Sequence, residues 1–175
     1  LKIWSVHLPF GKGWDITDLD PFIRAECVSN ISHFIDLAKE LEPQKFILHG
    51  SFEPIADNER QTRINNCHSS VNILNSVVQN KTKAPLLIEN LPRTCLGNTS
   101  SEMIQILEGV DSSVGVCFDT NHCLQERPEE FIRKLGNRIT SIHVSDYDGI
   151  DEKHWRMGTG VIDWKQVIRE LAGIG

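Results

Sequence analysis

Five short β-rich apolar runs, Lys2 to His7, Lys45 to His49, Pro85 to Glu89, Val114 to Asp119 and Ile139 to Ser145, each carry near their end a side chain that can ligate a divalent metal or move a proton. These are His7, His49, Glu89, Asp119 and His143. Taken singly, such a residue more often caps a helix or is the first wet side chain of a loop. Repeated in all five runs, it points to one shared site. Three imidazoles with two carboxylates suit a borderline divalent ion such as zinc, manganese or cobalt better than an oxygen-only calcium site.

Side chains alternate along a strand, so counting back by twos from these residues gives a second, inward set: Ser5, Ile47, Leu87, Cys117 and Ser141. All are small or apolar, as a packed barrel interior requires. The opposite set, Val6, Leu48, Ile88, Phe118 and Val144, is hydrophobic throughout and is expected to face helices.

Helical stretches separate the runs. The first is expected over Pro21 to Leu41, with Asp20 as cap and proline at the first position. The second starts near Asp57 and carries Ile64, Val71, Leu74 and Val78 at helical spacing; the third covers Ser101 to Glu108. A fourth begins at Pro128, and a fifth follows Asp163 through Leu171. Regular strand-helix alternation means parallel strands with right-handed crossovers.

Two α/β architectures fit, a doubly wound sheet and a (β/α)8 TIM barrel. The turn after the first run reads Leu-Pro-Phe-Gly-Lys-Gly, not the G-x-G-x-x-G of a dinucleotide-binding sheet. Five units in 175 residues is 35 each, so eight need about 280, a usual barrel length. The expectation is therefore a single domain over residues 1–175, a partial barrel of about five consecutive βα units, incomplete at both ends.

An apolar content of 39% supports one sizeable core. No apolar run approaches the roughly 18 residues of a membrane span. A formal charge of −6 argues against nucleic acid as partner. The five cysteines are odd in number and show no C-x-x-C spacing, which favours a reducing, cytoplasmic setting.

The segments Leu86-Leu-Ile-Glu-Asn-Leu-Pro, Cys117-Phe-Asp-Thr-Asn-His, Ile142-His-Val-Ser-Asp and His154-Trp-Arg-Met-Gly-Thr-Gly-Val-Ile-Asp resemble the motifs of the xylose isomerase-like TIM barrel superfamily. That group holds sugar isomerases and epimerases and the zinc-dependent AP endonucleases. The resemblance implies Glu89, Asp119 and His143 as metal ligands, with manganese, zinc, cobalt or magnesium bound. It implies Glu89 as proton carrier as well as ligand, and His122 as a catalytic residue that contacts substrate in the epimerases or holds a further zinc in the endonucleases. A second glutamate of the epimerase pair lies on a strand this sequence does not contain.

His7 and His49 match zinc-binding positions of the endonucleases and substrate-side positions of the sugar enzymes, and here they are assigned to substrate. His154 joins them; Glu152-Lys153-His154 stands where the endonucleases have Asp-x-His. Trp14, Trp155 and Phe10 lie in loops on the same side and could stack on a sugar. Asp146 is expected to ligate or orient a ligand, Gly158 and Gly160 to form a turn, and Cys123 to pack.

The function expected is a metal-dependent isomerase or epimerase moving a proton between adjacent carbons of a ketose or aldose through an enediolate. The alternatives are a zinc-dependent AP endonuclease and a non-catalytic sugar-binding barrel. The partner expected is a small sugar, with no membrane; a homo-oligomer is left open.

Overall fold

A computed structural model describes residues 2–174. Strands β1 (Val6–His7), β2 (Phe46–His49), β3 (Leu86–Glu89), β4 (Gly115–Asp119) and β5 (Ile139–His143) pair in parallel and in chain order. Each is followed by a helix: α1 (Pro21–Ala38), α2 (Arg60–Lys81), α3 (Ser100–Glu108), α4 (Pro128–Leu135) and α5 (Trp164–Gly173). A sheet whose order never reverses puts every crossover on the same face, which is the winding of a barrel and not of a doubly wound sheet. The molecule is a partial (β/α) barrel.

The packing follows the period-two pattern. Leu48, Ile88 and Phe118 join the helices in one large core, where Phe118 stacks on Phe131 of α4 with ring centroids 5.1 Å apart. Ile47, Leu87 and Cys117 form a separate small cluster on the concave face. Val144 departs from the expectation: it is 43% exposed, and its outward neighbour Ile142 is 41% exposed. Ile142 lies on the edge strand β5, covered on one flank only, and Val144 follows directly after its end.

The caps work as their residue types require. Asp20 accepts hydrogen bonds from the amides of Phe22 and Ile23, Thr99 from Glu102, and Asp163 from Lys165 and Gln166. Two helix boundaries shift, because Lys39–Leu41 and Asp57–Glu59 form single 3₁₀ turns at the end of α1 and the start of α2. Two strands are shorter than expected. Before Val6 a backbone bond from Gln44 N to Ile3 O meets the segment ahead of β2 and not β2 itself, so no ladder forms there. After His143 the ladder stops, because the Thr120 hydroxyl donates to Ser145 O and accepts from Ser145 N. No helix among the described residues is long and apolar enough to cross a membrane, and all five cysteines are buried free thiols.

Candidate metal and catalytic site

The parallel register fixes which side chains meet. His49 pairs with Glu89, and Asp119 with His143, so side chains of the same parity project from neighbouring strand ends into one mouth. There they line a cavity of about 350 Å³ with Phe10, His122, Glu152 and His154. A wider groove of about 830 Å³ opens among the α1–β2 and α2–β3 loops, and among the described residues no histidine or cysteine lines it.

Glu89 is the centre of the site. Its carboxylate is 2% exposed; Oε2 lies 3.0 Å from His7 Nε2 and 3.3 Å from His49 Nε2, while Oε1 lies 2.7 Å from His143 Nδ1. His143 Nδ1 is also 3.7 Å from Asp119 Oδ2. Two groups therefore bring ligand atoms within 4.8 Å of one another: His7, His49 and Glu89, and Glu89, Asp119 and His143. Both contain Glu89.

The tautomers show what this arrangement asks for. His7 Nδ1 lies 2.9 Å from Leu8 O and must donate to it, so in the neutral ring Nε2 presents a lone pair to a carboxylate oxygen. His122 repeats the situation: Nδ1 donates to Asn90 O at 2.8 Å, and Nε2 faces Glu152 Oε2 at 3.2 Å. Two acceptors at such distances need a proton or a cation between them. A ring whose second nitrogen is anchored on a backbone carbonyl is also the arrangement that metal-binding histidines adopt. The donor set therefore fits a divalent ion.

Burial alone would raise the Glu89 pKa, but hydrogen bonds from His143, His49 and His7 outweigh it and hold the carboxylate far below its ordinary range. Asp119 is shifted upward by burial, with the charge of Glu89 adding to the shift and His122 opposing it. Burial holds His49 below the usual imidazole value. His7, although burial opposes it, is raised by its bonds to Glu89 and Leu8. His143 is raised by the Cys117 side chain beneath it and by Glu89.

Several polar residues that the sequence reading passed over hold this geometry. Asn121 accepts the Lys153 amide through Oδ1 and turns its amide nitrogen to His154 Nδ1 at 3.1 Å, tying the β5–α5 loop to the end of β4. Asn90 anchors both Asp119 and His122. Both stand inside the motif segments Leu86-Leu-Ile-Glu-Asn-Leu-Pro and Cys117-Phe-Asp-Thr-Asn-His, which is the signal that could have singled them out.

Three expectations change. Asp146 does not reach the site: its carboxylate accepts the amides of Tyr147, Gly158 and Ile162 and the Trp164 indole, organising the β5–α5 loop. Gly160 is required for that packing, because a Cβ there would stand 2.1 Å from Tyr147 O and 2.3 Å from Asp146 Oδ1. Trp14 packs against the core, and Trp155 lies outside the cavity, its backbone paired with Asp146; neither side chain lines the mouth. The mouth aromatic is Phe10, whose ring centroid is 4.3 Å from that of His49 and 5.0 Å from that of His7. Cys123 packs, as expected.

The sequence pattern defining the family described as xylose isomerase-like TIM barrel matches residues 1–175. An uncharacterized protein of Methanocaldococcus jannaschii, MJ1311, is 28% identical over 183 residues, which cover 97% of this chain and 60% of MJ1311. A crystal structure of a D-tagatose 3-epimerase-like protein superposes with a TM-score of 0.88 at 27% identity, covering 98% of this chain and 66% of that one. A probable endonuclease 4 of Thermoplasma volcanium is 38% identical over 77 residues, 37% of this chain and 28% of the endonuclease. The chain thus spans about two thirds or less of the length of these relatives.

Proposed function

The chain belongs to the xylose isomerase-like TIM barrel family, and from that premise we propose that it supplies the metal-binding wall of an isomerase or epimerase acting on a small ketose or aldose. The observation that carries this reading is the setting of Glu89, buried at the mouth with imidazole nitrogens facing both oxygens. Glu89, Asp119 and His143 would hold the ion. A divalent cation bound there would polarise a carbonyl and its neighbouring hydroxyl, lowering the pKa of the C–H between them and stabilising the enediolate.

The chain's own groups then divide the work. Glu89 presents Oε1 to the Asp119 and His143 side, while Oε2, flanked by His7 and His49, accepts the substrate proton and passes it to an imidazole. His122 and Glu152 form a second proton-carrying pair toward β4 and β5. Both sets line the same cavity, with His122 Nδ1 standing 3.9 Å from Glu89 Oε1. Phe10 and Leu91 give that cavity an apolar surface on which a sugar carbon face can rest.

A second reading, a polynuclear phosphodiesterase, is favoured by the sharing of Glu89 between two candidate ligand groups and by the likeness to a probable endonuclease 4. Against it, among the described residues the only Lys or Arg lining the cavity is Arg93, and three carboxylates already hold it. The test is to incubate the full-length protein with each metal and a panel of ketoses in deuterated water. Deuterium entering the carbon next to the carbonyl is the expected result. Incision of an abasic duplex without any such exchange would overturn the first reading in favour of the second.

A further inference from the structure

Arg93 sits at the meeting point of three mouth loops. Its guanidinium holds Glu53 of the β2–α2 loop through Nε and Nη2 at 2.7–3.0 Å, and reaches Asp151 at 3.0 Å and Glu152 at 2.7 Å in the β5–α5 loop. The backbone is as firmly determined as the side chain. Arg93 has a φ of 51°, in the left-handed region that a branched-off side chain disfavours, and Asn98 donates to its carbonyl at 2.6 Å. A non-glycine residue kept in that conformation by several partners is a mark of functional geometry.

The two oxygens of Glu152 are used differently. Oε1 accepts from Arg93, and Oε2 faces His122 Nε2 at 3.2 Å. The fork of Nε and Nη2 is taken by Glu53, and Nη1 gives Glu152 a single charge-assisted bond; with Oε1 pinned by that bond, the swing left to Oε2 is limited to the side that faces His122. Without it, a glutamate on a loop would rotate freely about its side-chain bonds.

We propose that Arg93 is a positioning residue, which holds Glu152 so that its free oxygen faces His122 across the mouth. This rests on the reading of His122 and Glu152 as a proton-carrying pair, and it is specific to Arg93 in a way that a general loop tie would not be. Asp151 provides the control: its Oδ1 shares the same guanidinium and accepts the Glu152 amide at 2.9 Å, a bond that the Oδ1 of an asparagine keeps, so Asp151→Asn removes only charge from the Arg93 side.

Two measurements on the full-length protein test it. The first is the His122 ring ¹⁵N signal of the metal-free protein, assigned by its loss in His122→Gln. Arg93→Gln should move it as far as Glu152→Gln does, Arg93→Lys should restore part of the shift, and Asp151→Asn should leave it in place. The second is the rate of deuterium exchange into substrate, where Arg93→Gln should lower kcat by about 10–100-fold, the usual cost of losing a residue that orients a site group, with KM changed much less. Asp151→Asn should retain most of the rate. An unmoved His122 signal in Arg93→Gln, or an equal shift in Asp151→Asn, would overturn the positioning role. If the signal moves as expected while even the wild type exchanges no deuterium, the positioning role stands and it is the isomerase reading that fails.

Discussion

Asn90 and Asp119 are joined by two hydrogen bonds running in opposite directions: the Asp119 amide donates to Asn90 Oδ1 at 2.6 Å, and the Asn90 amide donates to Asp119 O at 3.0 Å. The clasp locks the end of β4 beside β3. Because Asn90 O also accepts from His122, one residue sets the direction of two candidate site groups. Asn90→Ala should therefore weaken cobalt binding by about 10–100-fold and cost about 1–3 kcal/mol of stability, since buried partners are left unpaired. A cobalt titration followed by its visible absorption reads the first effect. Unchanged affinity would remove Asn90 from the machinery.

Asp119→Asn and His143→Ala should lose bound metal while keeping the fold, because residues at a barrel mouth contribute little to the apolar core. Metal analysis alongside circular dichroism distinguishes the two effects. Glu89→Gln should behave differently, retaining some metal while exchanging no deuterium. Full metal stoichiometry in Asp119→Asn or His143→Ala would contradict the ligand assignment.

Gly160→Ala should destabilise by about 2 kcal/mol or more, because the new methyl meets a backbone oxygen that cannot swing away. The expected loss also reaches the site, since the same loop carries Glu152 and His154. Asp146→Ala should share both effects by releasing three amides and an indole. A melting temperature equal to that of the wild type in both variants would contradict this account of the loop.

The pair of lysines on Asp36 gives a pH signature remote from the mouth. Lys39 and Lys81 hold its carboxyl down at about 2, against an ordinary 3.8. A depressed acid stabilises the fold fully above its unfolded pKa and loses that contribution as pH falls through the folded value. Asp36→Asn should thus melt lower than wild type at neutral pH, with the gap narrowing below about pH 4 and closing near pH 2. The gap should also shrink in high salt, because these groups are solvent-exposed. A gap independent of pH would mean that the substitution acts through packing instead.

What the sequence determined by itself was the part governed by local periodicity. Alternation along a strand is a property of the backbone, so the positions of His7, His49, Glu89, Asp119 and His143, and the inward set Ile47, Leu87 and Cys117, could be read without coordinates. Caps such as Asp20 and Asp163 were legible for the same reason, since a cap and its amides lie within three residues. Loop side chains obey no such period. Whether Asp146 turns to the metal side or to its own loop, whether Phe10 or Trp14 faces the cavity, and whether Arg93 is a stray surface cation or the holder of Glu152 depended on partners up to 59 residues away along the chain. Only the tertiary structure decided these, because a polar side chain takes whichever partner the packed backbone brings within about 3 Å, and sequence distance carries no record of that meeting.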